Sequence, residues 1–133
     1  NIVEIYGKAK KELFIIAGGL TPHKKGVDLI TPTKMIIKKK VDNKIIVPID
    51  KHNIERAKKL IRLGVQLRNF SLKKNMRLHV VDGKYAMITI IGKSEKNRSI
   101  IKINQPESVQ SLRELFLSLW EKSKDVESPL MEK

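Results

Sequence analysis

Asp82-Gly83 stands between two apolar runs, Met76–Val81 and Tyr85–Ile91, and this signal constrains the chain more than any other. Asp-Gly between β-prone runs predicts a hairpin, because a type I′ turn needs positive φ at both central residues. The runs are rich in Val, Ile, Tyr and Thr, which suit a pleated surface. In the second run apolar residues occupy both faces: Tyr85, Met87 and Ile91 on one, Ala86, Ile88 and Ile90 on the other. A strand that is apolar on both faces belongs inside a sheet covered by helices. The hairpin is therefore expected at the centre of a layered α/β sheet.

The flanking sequence supplies the other layers. Ile2, Ile5, Tyr6 and Ala9 fall at helical spacing, and 13–17 reads as a short strand closed by Gly18-Gly19. A helix is predicted over 31–41, with Thr31 as N-cap, Pro32 in the first turn and Met35, Ile36 and Val41 buried. Asp42-Asn43 is expected to turn the chain into a strand over 44–49. Asp50 is expected to cap a helix over 51–63, striped by Ile54, Ala57, Leu60 and Ile61 and closed by Gly64. A strand over 65–70, the hairpin, and an edge strand over 99–103 follow. The last helix runs from Pro106 to about Lys122, with Val109, Leu112, Phe116 and Leu119 in one stripe and Leu115 and Trp120 beside it. Trp120 is expected at a sheet edge or a dimer seam, and Leu117, off the stripe, hints at a second contact surface. The order is αβ-αβ-αβ-ββ-β-α, a mixed sheet sandwiched by helices in one domain over 1–122, with a polar tail over 123–133.

Composition narrows the function classes. No apolar run approaches the ~20 residues of a membrane span, and the charged start has no signal-peptide pattern. With no Cys there is neither a disulfide framework nor a thiolate metal site. His23, His52 and His79 are scattered and form no metal motif. A cytoplasmic protein is expected, without metal or cofactor. The chain opens on Asn1 rather than Met, as a piece of a longer protein would.

The net charge of +14 is uneven: residues 1–104 hold 24 basic and 8 acidic residues, residues 105–133 hold 4 and 6. A basic body invites phosphate. Lys38, Lys39 and Lys40, and Lys58 and Lys59, are the candidate nucleic-acid contacts, although each run also reads as a solvated helix surface. Lys38–Lys40 would in addition complement the helix dipole. Aromatics are 5% of residues and no recognition helix is evident, which argues against specific base readout. The loop after Gly18-Gly19 lacks phosphate-binding spacing but could wall a pocket at the strand ends. Strand alternation places Arg77, His79 and Val81 on one face. With Arg68, Arg77 and His79 could form a wall receiving an anion; equally, His79 could be a neutral core histidine and Arg77 the partner of an acid.

The hairpin region resembles the motif of the phospholipase D-like superfamily, His-x-Lys, four residues, then Asp. Here it reads Asn75-x-Arg77-(x)4-Asp82. The family's His is the nucleophile on a phosphodiester. An Asn amide is not nucleophilic and cannot shuttle a proton, and His79 stands at the wrong offset to replace it. The element order is similar to one half of a phospholipase D-like unit, as in the effector portion of TrmB-type archaeal transcriptional regulators. Three segments carry that likeness: Glu55-Arg-Ala-Lys-Lys-Leu-Ile-Arg-Leu-Gly-Val-Gln-Leu-Arg68, the hairpin with Val81-Asp82-Gly83-Lys84, and Ser111-Leu-Arg-Glu-Leu-Phe-Leu-Ser-Leu-Trp-Glu121.

The resemblance implies a non-catalytic sensor and dimerisation domain. It implies a homodimer with Asn75, Arg77, His79 and Asp82 near the two-fold seam, and a remnant pocket there for a small anionic effector. It also implies a winged-helix DNA-binding domain, absent from this chain and expected before Asn1. The rival expectations are a basic module that binds nucleic acid directly and, third, a phosphodiesterase or nuclease.

Overall fold

The computed structural model describes residues 2–18, 30–70, 76–92 and 97–124, with backbone only for 2–4 and 30. Its elements are α1 (Ile2–Lys8), β1 (Glu12–Ile16), α2 (Ile30–Lys38), β2 (Asp42–Val47), α3 (Ile54–Leu63), β3 (Gln66–Asn69), β4 (Met76–Val81), β5 (Tyr85–Ile91), β6 (Arg98–Ile103) and α4 (Pro106–Lys122). The six strands form one sheet in the order β3-β2-β1-β4-β5-β6. β1, β2 and β3 are parallel, while β4, β5 and β6 add antiparallel on the other side of β1. The expected mixed α/β sandwich is the fold.

The two faces bury separate cores. Leu13, Ile15, Ile45, Val47 and Leu67 face α1, α2 and α3, joined by Ile36 and Ala57 from those helices. Phe14, Ile16, Ile46, Leu78 and Val80 face α4, which inserts Val109 and Phe116. Phe116 stacks on Phe14 at 4.8 Å between ring centroids, and Trp120 follows Phe116 at 6.1 Å. Leu117, half-buried, packs against this same core. Trp120 lies under Arg68 near the β3 edge, as an edge cover should.

The hairpin turns at positive φ, 56° at Asp82 and 65° at Gly83, and Lys84 N–H donates back to Val81. It is less central than its composition suggests. β4 is interior, but β5 is one strand from the edge, and Ile90 is 45% exposed.

Several local boundaries move, each for a tertiary reason. α2 begins at Ile30, so Thr31 lies inside the first turn, and Met35 is exposed. Asp42 and Asn43 are not a turn; they pair with Glu12 and Leu13 as the start of β2. α3 begins at Ile54, not at 51. The Asp50 carboxylate does accept amides, from His52 and Asn53, but these close a separate turn before the helix. Gly64 ends α3 at φ 112°, packed against Ile37 of α2, and Ile61 is turned out to solvent. α4 keeps its predicted bounds. Of the tail, Ser123 caps α4 and Lys124 pairs with Asn69 across the β3 edge; the remainder lies outside the described residues.

Candidate ligand site at the strand switch point

The chain builds leftwards from β1 through two parallel crossovers, then returns to the right of β1 with β4. The strand order reverses between β1 and β4: the chain leaves the carboxyl end of β1 towards β2, and the connection from β3 enters β4 on the other side of β1 at that same end. In α/β sheets, ligands gather outside the carboxyl ends of the strands at such a reversal. Here that end carries Ala17-Gly18 after β1, the 48–53 connection after β2, and the first residues of the antiparallel β4.

Arg77 occupies this position. Its guanidinium lies against Gly18: a Cβ placed there would stand 3.1 Å from Nε and 3.3 Å from Nη2. The missing side chain of Gly18 is what lets the cation rest on the main chain at the end of β1. Thr89 of β5, buried, is directly opposite Arg77. The neighbouring connection is braced by side chains: Asn69 Oδ1 accepts Ile49 N–H at 2.9 Å, and Asn53 bonds both Asp50 N–H and the Pro48 carbonyl.

His79 lies two residues further in, opposite Ile15 on one side and Met87 on the other, and is 6% exposed. Burial, helped by the Arg77 cation, pulls its pKa down to about 4, so the imidazole is neutral near pH 7. Its buried Nδ1 has no hydrogen-bond partner among the described residues. Arg77 and His79 thus share a face, as alternation predicts.

Arg68 does not join them. Its neighbour in register is Ile46, on the α4 side of the sheet, and its guanidinium donates to the Trp120 carbonyl at 2.7 Å. The expected three-residue wall fails because β3 presents Arg68 to the other face. Asp82 is also apart, at the far end of β4, about 17 Å along the strand from Arg77. Its carboxylate accepts the N–H groups of Lys10, Lys11 and Glu12 at 2.7 to 3.1 Å. Burial opposes its charge, but those amides outweigh burial and hold its pKa below the usual carboxylate value. Asp82 is a structural anchor at the opposite rim, where Arg113 of α4 also grips Glu12. Asn75, His23 and the 19–26 loop lie outside the described residues.

The basic runs occupy the helical layer. Lys39 is engaged: its Nζ reaches the carbonyls of Gly7 and Ala9 at 3.4 and 3.3 Å, tying α2 to the end of α1. Lys38, Lys40 and Lys59 are exposed and Lys58 is half-buried. Sequence reasoning missed the contribution of Gly18, whose role depends on an arginine some sixty positions away. Among the described residues no three metal-ligating side chains cluster, and no helix is long and apolar enough to cross a membrane.

Fold and site together define a mixed α/β domain with a cation at its switch point. The same fold occurs in TrmBL2, an archaeal chromatin protein whose structure shows a novel mode of DNA binding, with a TM-score of 0.71 and 20% identity. The match covers 94% of this chain and 49% of TrmBL2, so the present chain spans about half that protein's length. No protein-family description matches the sequence, and no curated protein does.

Proposed function

We propose that this chain is the non-catalytic sensor and dimerisation domain of a transcriptional regulator of the TrmB type, built on a phospholipase D-like half-unit. The observation that carries the reading is the Arg77 guanidinium seated on Gly18 at the switch point, beside a buried, neutral His79. A cation at the strand ends suits a small anionic effector, a phosphate or carboxylate, by charge-assisted hydrogen bonding. The non-catalytic part is supported by Asn75 in the nucleophile's place and by the burial of His79 between Ile15 and Met87. Two copies would pair across β4 and β5 near Arg77. DNA would be engaged by a winged-helix domain elsewhere in the full-length protein. The fold shared with TrmBL2, a DNA-binding protein, is consistent with that setting.

Thermal unfolding with a panel of small phosphates and carboxylates tests the reading. A site ligand at ~100 times its Kd stabilises by about 2.7 kcal/mol, and Arg77→Ala should abolish the gain. A monomer at micromolar concentration, with no anion giving an Arg77-dependent gain, would sink it.

A second reading has the α2–α3 surface contact nucleic acid directly. Gly64 packs on Ile37, so the helices carrying the exposed Lys38 and Lys59 are neighbours, and a phosphate backbone would lie across both. Titration of duplex DNA at ~50 and ~200 mM salt separates the two. A fall in affinity of about a hundredfold or more implies several phosphate contacts, and its loss in Lys38→Gln/Lys59→Gln protein would favour this second reading.

A further inference from the structure

The two edges of the sheet are finished differently. At β3, Lys124 exchanges both main-chain hydrogen bonds with Asn69, at 2.7 and 3.0 Å. At the other edge, β6 pairs with β5 from Ala86↔Ile103 to Ile91↔Arg98, and among the described residues no strand meets its outer side. No residue of β6 is buried. Ile100 is 48% exposed and Ile101 46%, on opposite faces of the strand. Ile90 is exposed beside them, opposite Ser99. A six-residue edge whose outer main-chain groups meet no strand among the described residues, with apolar side chains on both faces, is a template for another strand.

Charge decides what that strand is. β6 reads Arg98-Ser-Ile-Ile-Lys-Ile103, with two cations and no acid. Alternation puts Arg98, Ile100 and Lys102 on one face. A second copy added antiparallel with its faces aligned must centre on one residue. Centred on Ile100, it sets Arg98 against Lys102 of the other copy, and like charges directly opposite are unfavourable. Centred on Ile101, it leaves all four cations without an acid, and each chain brings a net charge of +14. Cations on an edge strand are a known guard against such self-pairing. The same two cations attract a strand with acids opposite Arg98 and Lys102 and a β-branched residue opposite Ile100.

We propose that β6 is the docking edge for an extended acidic segment of a partner protein, which adds antiparallel as a further strand. Main-chain hydrogen bonds hold the segment, and the Arg98–Ile100–Lys102 row selects its pattern of acid, gap, apolar, gap, acid. This surface is separate from the switch point and does not rest on the sensor reading.

The test uses the 133-residue chain and the blocked peptide Val-Glu-Ile-Val-Thr-Glu, whose two acids fall opposite Lys102 and Arg98. Its comparison peptide has Lys in place of both Glu residues. Amide chemical shifts should move along 98–103 on adding the acidic peptide. The basic peptide should bind about tenfold more weakly or not at all. The Arg98→Glu/Lys102→Glu variant should invert that order, which separates a specific register from a general attraction of acids to a basic protein. N-methylation of alternate peptide residues should abolish binding in one set and spare it in the other, because only one set of N–H groups faces β6. Circular dichroism and Tm confirm that the variant is folded. Equal binding of both peptides, shifts that avoid 98–103, or two N-methylated sets that behave alike would each overturn the proposal. So would sedimentation showing a wild-type dimer that an Ile101→Glu change disperses, since a second copy would then hold the edge.

Discussion

Asp82 Oδ1 lies 2.7 Å from the main-chain nitrogen of Lys11, although the two residues are 71 positions apart. With the Lys10 and Glu12 amides it forms a three-donor cradle that joins the hairpin turn to the entry of β1. Hydrogen bonds to a charged group contribute about 1.5–3 kcal/mol, so Asp82→Ala should cost about 2 kcal/mol in urea unfolding at pH 7. Asp82→Asn should cost less, since Asn keeps an acceptor oxygen and tolerates the φ of 56°. Because the folded pKa is depressed, the stabilisation is present above the unfolded carboxylate's pKa of ~3.9 and is lost as pH falls through the folded value. Wild-type protein should therefore lose stability in that acid range more steeply than Asp82→Asn. Parallel curves would rule out the cradle as an acid-sensitive element.

His79 makes a separate contribution at higher pH. Its folded pKa of about 4 lies below the ordinary 6.5, from burial first and Arg77 second. Between those values the unfolded chain binds a proton that the folded chain refuses, so stability falls as pH drops from 6.5 towards 4. The whole window is worth on the order of 3 kcal/mol. Replacing His79 with Leu, flanked by Ile15 and Met87, should flatten that slope. A variant that kept the wild-type slope from pH 6.5 to 4.5 would assign it to other groups.

Asn43 is 2% exposed, and among the described residues neither its amide nitrogen nor its oxygen has a partner. An unsatisfied buried polar group costs about 1–3 kcal/mol. Asn43→Leu, which keeps the branched outline beside Leu13 but has bulkier methyl groups, should raise stability by an amount towards the lower end of that range. A destabilised variant would mean that Asn43 is satisfied in solution.

Gly18→Ala probes the switch point without removing its charge. The new Cβ would meet the Arg77 side chain at 3.1 Å, and a flexible guanidinium should swing away rather than unfold the sheet. Tm should change little, while any anion-dependent stabilisation should weaken several-fold, between wild type and Arg77→Ala. Unchanged anion binding would detach Gly18 from the site.

Much of the architecture is legible in the sequence because its causes are local. The Asp82-Gly83 turn, the Gly64 helix end, the start of α4 at Pro106 and the order of elements follow from φ preferences and periodicity within a few residues. Other features depend on pairings across the chain. Asn43 reads as a turn residue but is drawn into β2 by its alignment with Leu13 of β1. Arg68 and Arg77 read alike, yet register sends Arg68 to the α4 face, over the Trp120 ring, and Arg77 to the other.

The site shows the same division. Alternation along β4 by itself put Arg77 and His79 on one face, because a strand has a period of two. Only the tertiary structure decided that β4 lies antiparallel beside β1, which brings Arg77 onto Gly18 and carries Asp82 to the opposite rim. Strand order is a balance of long-range contacts between two buried faces, and no short window of sequence contains both partners of those contacts.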